Sequence, residues 1–147
     1  MSEKQNIAEY LFNSGFNCTQ AVLTAFAEDV DLPKNLALNI SLGFGGGMGR
    51  LQETCGAVIA AYIISSLYCS IKFEDSNERK EKVVEMIQKF NADFINIFKS
   101  TVCRNLLDCD LNTEEGKLNY HNNNLRKNVC MNCVNKSIEI IEKMISV

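Results

Sequence analysis

The 147-residue sequence has one histidine, one proline and no tryptophan, and its 15 basic against 18 acidic residues leave a net charge of -3. The single histidine, His121, excludes multi-histidine metal sites and most histidine-based catalysis. It lies in His121-Asn122-Asn123-Asn124, which reads as an exposed polar loop. There is no basic arm or patch, so nucleic acid is not an expected partner. The longest apolar run, Cys55 to Ile64, is too short to span a bilayer, so membrane insertion is not expected either. Met1 to Asn6 shows no basic segment leading into an apolar run, so no signal peptide is visible. Alternation of apolar and polar residues is also missing, which argues against strands.

What is present is helical periodicity. A first helix is predicted from Ser2 to Asn13, stopped by Gly15. Asn17 and Gln20 have the spacing of a capping box, opening a second helix from Cys18 to Glu28 with Cys18 on its buried face. Pro33 starts a third that carries Leu36 and Ile40 inward beside Ala37. Glu53 to Tyr68 is apolar nearly all round, as a central buried helix would be. Its small residues Gly56, Ala57, Ala60 and Ala61 admit another backbone closely, within the chain or in a homodimer. Asp75 and Glu78 form a second capping-box pattern before a long helix, Ser76 to Lys99, with Val83, Ile87, Phe90, Phe94 and Ile97 as its core stripe. Thr101 can cap a short helix at Cys103, and Thr113-Glu114-Glu115 starts another. The last begins near Val129, with Cys130, Val134, Ile138, Ile141 and Ile145 on one stripe. The expectation is an all-α protein. It is a single domain over 1–147, a bundle of about five to seven helices with a glycine-rich turn before the central one.

Seven cysteines stand out in a chain this long. An odd number cannot all pair within one chain, and a domain of this size needs no bridges for stability. A cytoplasmic protein with reduced or metal-bound thiols is therefore expected. Cys18, Cys55, Cys103 and Cys130 each fall at a predicted helix N-terminus, where unpaired amides and the dipole favour a thiolate. An iron–sulfur cluster or a redox thiol pair would use that environment. Cys133 forms a C-x-x-C with Cys130 and is a candidate resolving thiol. Cys69 lies 14 residues after Cys55, about 21 Å along a continuous helix, and cannot share its site. Cys109 turns to another face from Cys103. The alternatives are a structural zinc site from Cys103, Cys109, Cys130 and Cys133, although five residues between the first two exceed the usual spacing, and a helical interaction module whose buried cysteines are inert. The glycine-rich segment lacks the lysine of a phosphate loop and follows a helix, so no nucleotide is expected. Arg50 and the amides near Gly49 and Gly56 are candidates for stabilising negative charge at a cofactor.

These blocks resemble the redox-active family named for a cysteine, a CGAxxG motif and two further cysteines (C_GCAxxG_C_C). Asn17-Cys18-Thr19-Gln20-Ala21-Val22 matches its first block. Gly45-Gly46-Gly47-Met48-Gly49-Arg50 leads into Cys55-Gly56-Ala57 as its glycine block does. Cys103-Arg104-Asn105-Leu106-Leu107 and Cys130-Met131-Asn132-Cys133-Val134 match the last two, with the spacing to Val134 favouring Cys130 over Cys133. Ala60 stands where the motif has its final glycine. The resemblance implies an oxidoreductase or electron carrier with a redox partner protein. The implied site is Cys18, Cys55, Cys103 and Cys130, as ligands of an iron–sulfur cluster or as redox thiols. Helix position selects the same four.

Overall fold

The computed structural model describes residues 1–145, and the final two residues of the expected 1–147 domain lie outside them. Ser2 opens helix α1 (Glu3–Asn13), its hydroxyl accepting from the Gln5 amide while the Gln5 side chain accepts from the Ser2 amide. Gly15, at φ 101°, ends the path. Asn17 and Gln20 close the expected capping box at 2.8 and 3.0 Å and start α2 (Cys18–Phe26). This helix stops short of the predicted Glu28, where a 3-10 turn (Glu28–Val30) takes over.

Every α2 residue from Thr19 to Phe26 is buried. The centre of the molecule is therefore shared by α2 and α5 (Gly56–Lys72), whereas the apolar pattern pointed to α5 alone. Gly56, Ala57, Ala60 and Ala61 are all buried within this one chain, so the small-residue face is consumed by internal packing.

α3 (Lys34–Ile40) turns its large residues outward: Leu36 and Ile40 are 47% and 42% exposed and only Ala37 is buried, against the expectation. The short helix is tethered along the outside of α2. Gln20 donates to the Leu38 carbonyl, and Asn17 donates to the carbonyls of Ser41 and Leu42. A single turn, α4 (Gly45–Met48), follows, with Gly46, Gly47 and Met48 in the left-handed region rather than in regular helix.

α5 begins three residues later than predicted and ends four later. Residues 52–55 are hydrogen-bonded to 101–104 instead. Cys55 donates its amide to Thr101 at 2.7 Å, Cys103 donates to Glu53 at 2.7 Å, and Thr54 and Val102 form an isolated antiparallel bridge. Thr101 consequently does not cap α7 (Cys103–Leu107), because the N-cap position falls on Val102 and no side chain caps it.

α6 (Ser76–Phe98) is capped one way, Asp75 accepting from the Glu78 amide at 2.9 Å. Phe90 and Phe94 are fully buried, while Ile97 is 45% exposed. The next inward position at a four-residue step is Phe98, whose ring centroid lies 4.6 Å from that of Phe94.

α8 (Glu114–Asn122) starts at Thr113 as expected, but His121 and Asn122 complete its last turn rather than forming loop, although both are exposed. A π-helical turn, Arg126–Cys130, runs straight into α9 (Met131–Ile145). Cys130 therefore sits inside a continuous helical path, one turn from its start, and not at an open N-terminus. Val134, Ile138 and Ile141 are buried as predicted. More helical elements form than the five to seven expected, because short turns such as α4 and α7 carry no periodicity to reveal them.

Candidate functional site

Four separate stretches of chain deliver cysteines to one chamber, a void of about 70 Å³ lined by Cys18, Cys55, Cys103, Cys130 and Cys133. Cys18 is the first residue of α2, Cys55 the N-cap of α5, Cys103 the first residue of α7, Cys130 the end of the π-turn and Cys133 the first turn of α9. The antiparallel pairing of 52–55 with 101–104 is what sets Cys55 beside Cys103. Two glycines make the approach possible. A Cβ on Gly56 would lie 2.5 Å from the Cys18 sulfur, and one on Gly47, at φ +68°, would lie 2.7 Å from the Cys103 Cβ. Any side chain at either position would displace a site cysteine.

The thiols form a row. Cys18 is held well above the usual thiol range, first by its hydrogen bond to Cys55 and then by burial, while the Gly46 and Thr19 amides pull the other way. Cys55 is likewise raised, foremost by its hydrogen bond to Cys133, with Cys18 and the Ala57 amide opposing. Burial pushes Cys103 to about 11, aided by Cys18 and opposed by the Gln52 side chain. Burial pushes Cys130 to about 12, aided by Cys18 and Cys103 and opposed by Tyr120 and Arg126. Cys18, Cys55, Cys103 and Cys130 resist ionising beside their neighbours, yet each of the four is faced by donors suited to negative sulfur.

Arg126 is the cation of the site. Its guanidinium donates to the Phe12 and Phe16 carbonyls at 2.6 and 2.8 Å and stacks 3.7 Å above the Phe12 ring. It is half-buried, and no carboxylate pairs with it among the described residues.

The expected residues distribute unevenly. Cys18, Cys55, Cys103, Cys130 and Cys133 share the chamber, so Cys130 and Cys133 both contribute rather than one excluding the other. Gly49 and Arg50 lie outside it, on an adjoining groove; the amide that faces Cys18 is that of Gly46. Gly56 lines the chamber, where it makes room for sulfur. Cys69 is buried elsewhere, its thiol donating to the Met86 sulfur at 3.3 Å. Cys109 lies off the chamber wall. Among the described residues, no group of three or more His, Cys, Asp or Glu side chains is arranged to hold a metal ion.

Sequence reasoning missed Gln52, Tyr120 and Arg126. Gln52 is buried at φ 56°, donates to the Cys109 carbonyl and accepts from the Leu111 amide at 2.8 and 2.7 Å, and so anchors the turn after α7. None of the three carries a local signal, because each acts on chain that is distant in sequence.

The model of the family described as "Putative redox-active protein (C_GCAxxG_C_C)" matches residues 16–144. The chain belongs to that family. The matched stretch spans all five chamber cysteines. No match was found among curated proteins or among solved structures. Among the described residues, no helix is long and apolar enough to cross a membrane.

Proposed function

We propose that this family member carries out thiol–disulfide exchange through the Cys18–Cys55–Cys133 row. The observation that carries the reading is that Cys18, Cys55 and Cys133 line one chamber, with the protonation of Cys55 shifted by both of the other two. Cys18 is half-buried where Cys55 and Cys133 are 8% and 1% exposed, so it is the member that meets an incoming disulfide. Its sulfur attacks one sulfur of the disulfide RSSR, forming a mixed disulfide and releasing RS⁻, which takes the Cys18 proton. Cys55 then attacks the Cys18 sulfur, closing Cys18–Cys55 and releasing the second RS⁻ with the Cys55 proton. Two electrons and two protons pass from the pair to RSSR. The Gly46 and Thr19 amides stabilise the Cys18 thiolate as it forms, at the helix end where such charge is favoured.

Purified under anaerobic conditions, the protein is expected to lose two thiols on titration with an oxidant and recover both with dithiothreitol. A peptide map should place the bond between Cys18 and Cys55. Cys55→Ser should remove the couple and Cys69→Ser should retain it. Irreversible oxidation, or a bond elsewhere, would overturn the reading.

A second reading, an iron–sulfur cluster held by Cys18, Cys55, Cys103 and Cys130, is favoured by the donor set. The lining residues include several thiols, no carboxylate and no imidazole, with amides and one unpaired cation facing them. Those groups fit a thiolate-bound anion. Such a cluster would supply one-electron transfer, with Arg126 and the Gly46 amide stabilising its charge. Stoichiometric iron and sulfide in the purified protein would select the cluster, and zinc alone would sink it.

A further inference from the structure

A groove of about 610 Å³ adjoins the chamber and shares Asn17, Gly46, Leu111, Tyr120 and Arg126 with its wall. Its size is that of a small-molecule site rather than of a protein-docking face. Its cations are Arg50, Lys117 and Arg126, and no carboxylate lines it. This is a positive surface on a chain whose net charge is -3. Arg50 and Arg126 have no ion pair among the described residues, and the one Lys117 makes, to Glu114, is 3.7 Å long with both partners exposed. The Phe12 and Phe16 carbonyls and the Phe12 ring hold Arg126 in place but do not neutralise it, so its charge stays available to an anionic ligand.

The glycine-rich turn shapes the other wall. Gly43, Gly45, Gly46 and Gly49 present backbone and no side chains to the groove. A ligand can therefore lie flat against the amide layer that also faces Cys18. The sulfurs beyond are half-buried or buried, which favours a small disulfide over one on a folded protein surface.

We propose that this groove binds an anionic low-molecular-weight disulfide and delivers it to Cys18, with Arg50, Lys117 and Arg126 as the charge that selects it. The proposal rests on the thiol-exchange reading and names its oxidant. The electrons balance as written above: the bound disulfide is reduced to two thiols and Cys18–Cys55 is oxidised to the disulfide.

The test compares oxidation rates of the reduced protein by three small disulfides: anionic glutathione disulfide, neutral 2-hydroxyethyl disulfide and cationic cystamine. The anionic probe is expected to outpace the cationic one by about tenfold or more at low salt, and the ratio should fall as salt is added. Arg50→Gln/Lys117→Gln should bring the ratio to within about threefold. Lys80→Gln/Lys82→Gln, an equal charge change on α6, should leave it unchanged. Equal rates for all three probes, a ratio untouched by the groove variant, or faster oxidation by a disulfide-bonded protein would overturn the proposal while thiol exchange stands. No reversible oxidation by any probe would remove thiol exchange itself, and this proposal with it.

Discussion

The two ends of this bundle use buried cysteine for opposite purposes. At the aromatic end, Phe90 stacks on Phe94 at 5.8 Å and meets Tyr62 edge-on at 6.2 Å. On the same two helices, Cys69 fills space against Met86, its pKa raised first by burial. At the other end, Cys18 and Cys55 are raised first by hydrogen bonds to other thiols. Burial alone therefore does not mark a functional thiol; the company of other sulfurs and of unpaired donors does.

The sharpest break between the ends is expected from single cysteine substitutions. Cys55→Ser should abolish the reversible two-electron couple, measured by thiol titration, whereas Cys69→Ser should keep it. Loss of the couple from Cys69→Ser would erase the distinction.

Phe94→Ala should do the reverse. Emptying the most enclosed part of the aromatic end should cost about 3–5 kcal/mol in denaturant unfolding. Because Phe94 does not line the chamber, the Cys18–Cys55 couple should survive in the folded variant.

Alkaline pH should weaken the cysteine end selectively. Cys103 and Cys130 are raised from the usual 9.0 to about 11 and about 12. The folded state thus holds their protons more tightly than the unfolded chain. Their stabilisation is complete below pH 9 and is lost as pH climbs through the folded values, by about 1.4 kcal/mol per pH unit for each thiol in the window. Cys103→Ala/Cys130→Ala should flatten that decline in chemical denaturation between pH 9 and 11. An unchanged slope would show that these thiols do not set it.

The smallest effect is expected at Arg126. Arg126→Gln removes an opposing charge from Cys130, so its pKa should rise further. Alkylation of Cys130 at pH 10, followed by mass spectrometry, should slow by less than about tenfold, a shift under one unit. Labelling of Cys69 should not change.

The parts of the molecule legible in sequence are those governed by neighbours along the chain. The Asn17–Gln20 box, the Gly15 stop and the α9 stripe each depend on residues within a turn or two of one another. Cys18, Cys55 and Cys103 are visible for the same reason, as residues next to helix starts, whereas Cys130 lies inside the helical path that leads into α9. Boundaries failed where a distant segment competed for the backbone. Residues 52–55 were taken by 101–104, which delayed α5 and moved the cap of α7 from Thr101 to Val102. Leu36, Ile40 and Ile97 look apolar in sequence, but whether they point inward depends on what packs beside them.

The sequence by itself determined an all-α chain with its cysteines near helix ends, because propensity, capping and periodicity act over one or two turns. Only the tertiary structure decided that Cys133 joins the row beside Cys55, that Gly46 rather than Gly49 faces Cys18, and that Arg126 supplies the positive charge. Those assignments depend on hydrogen bonds and packing between segments as far apart as Phe12 and Arg126. Local pattern carries no record of such long-range pairings.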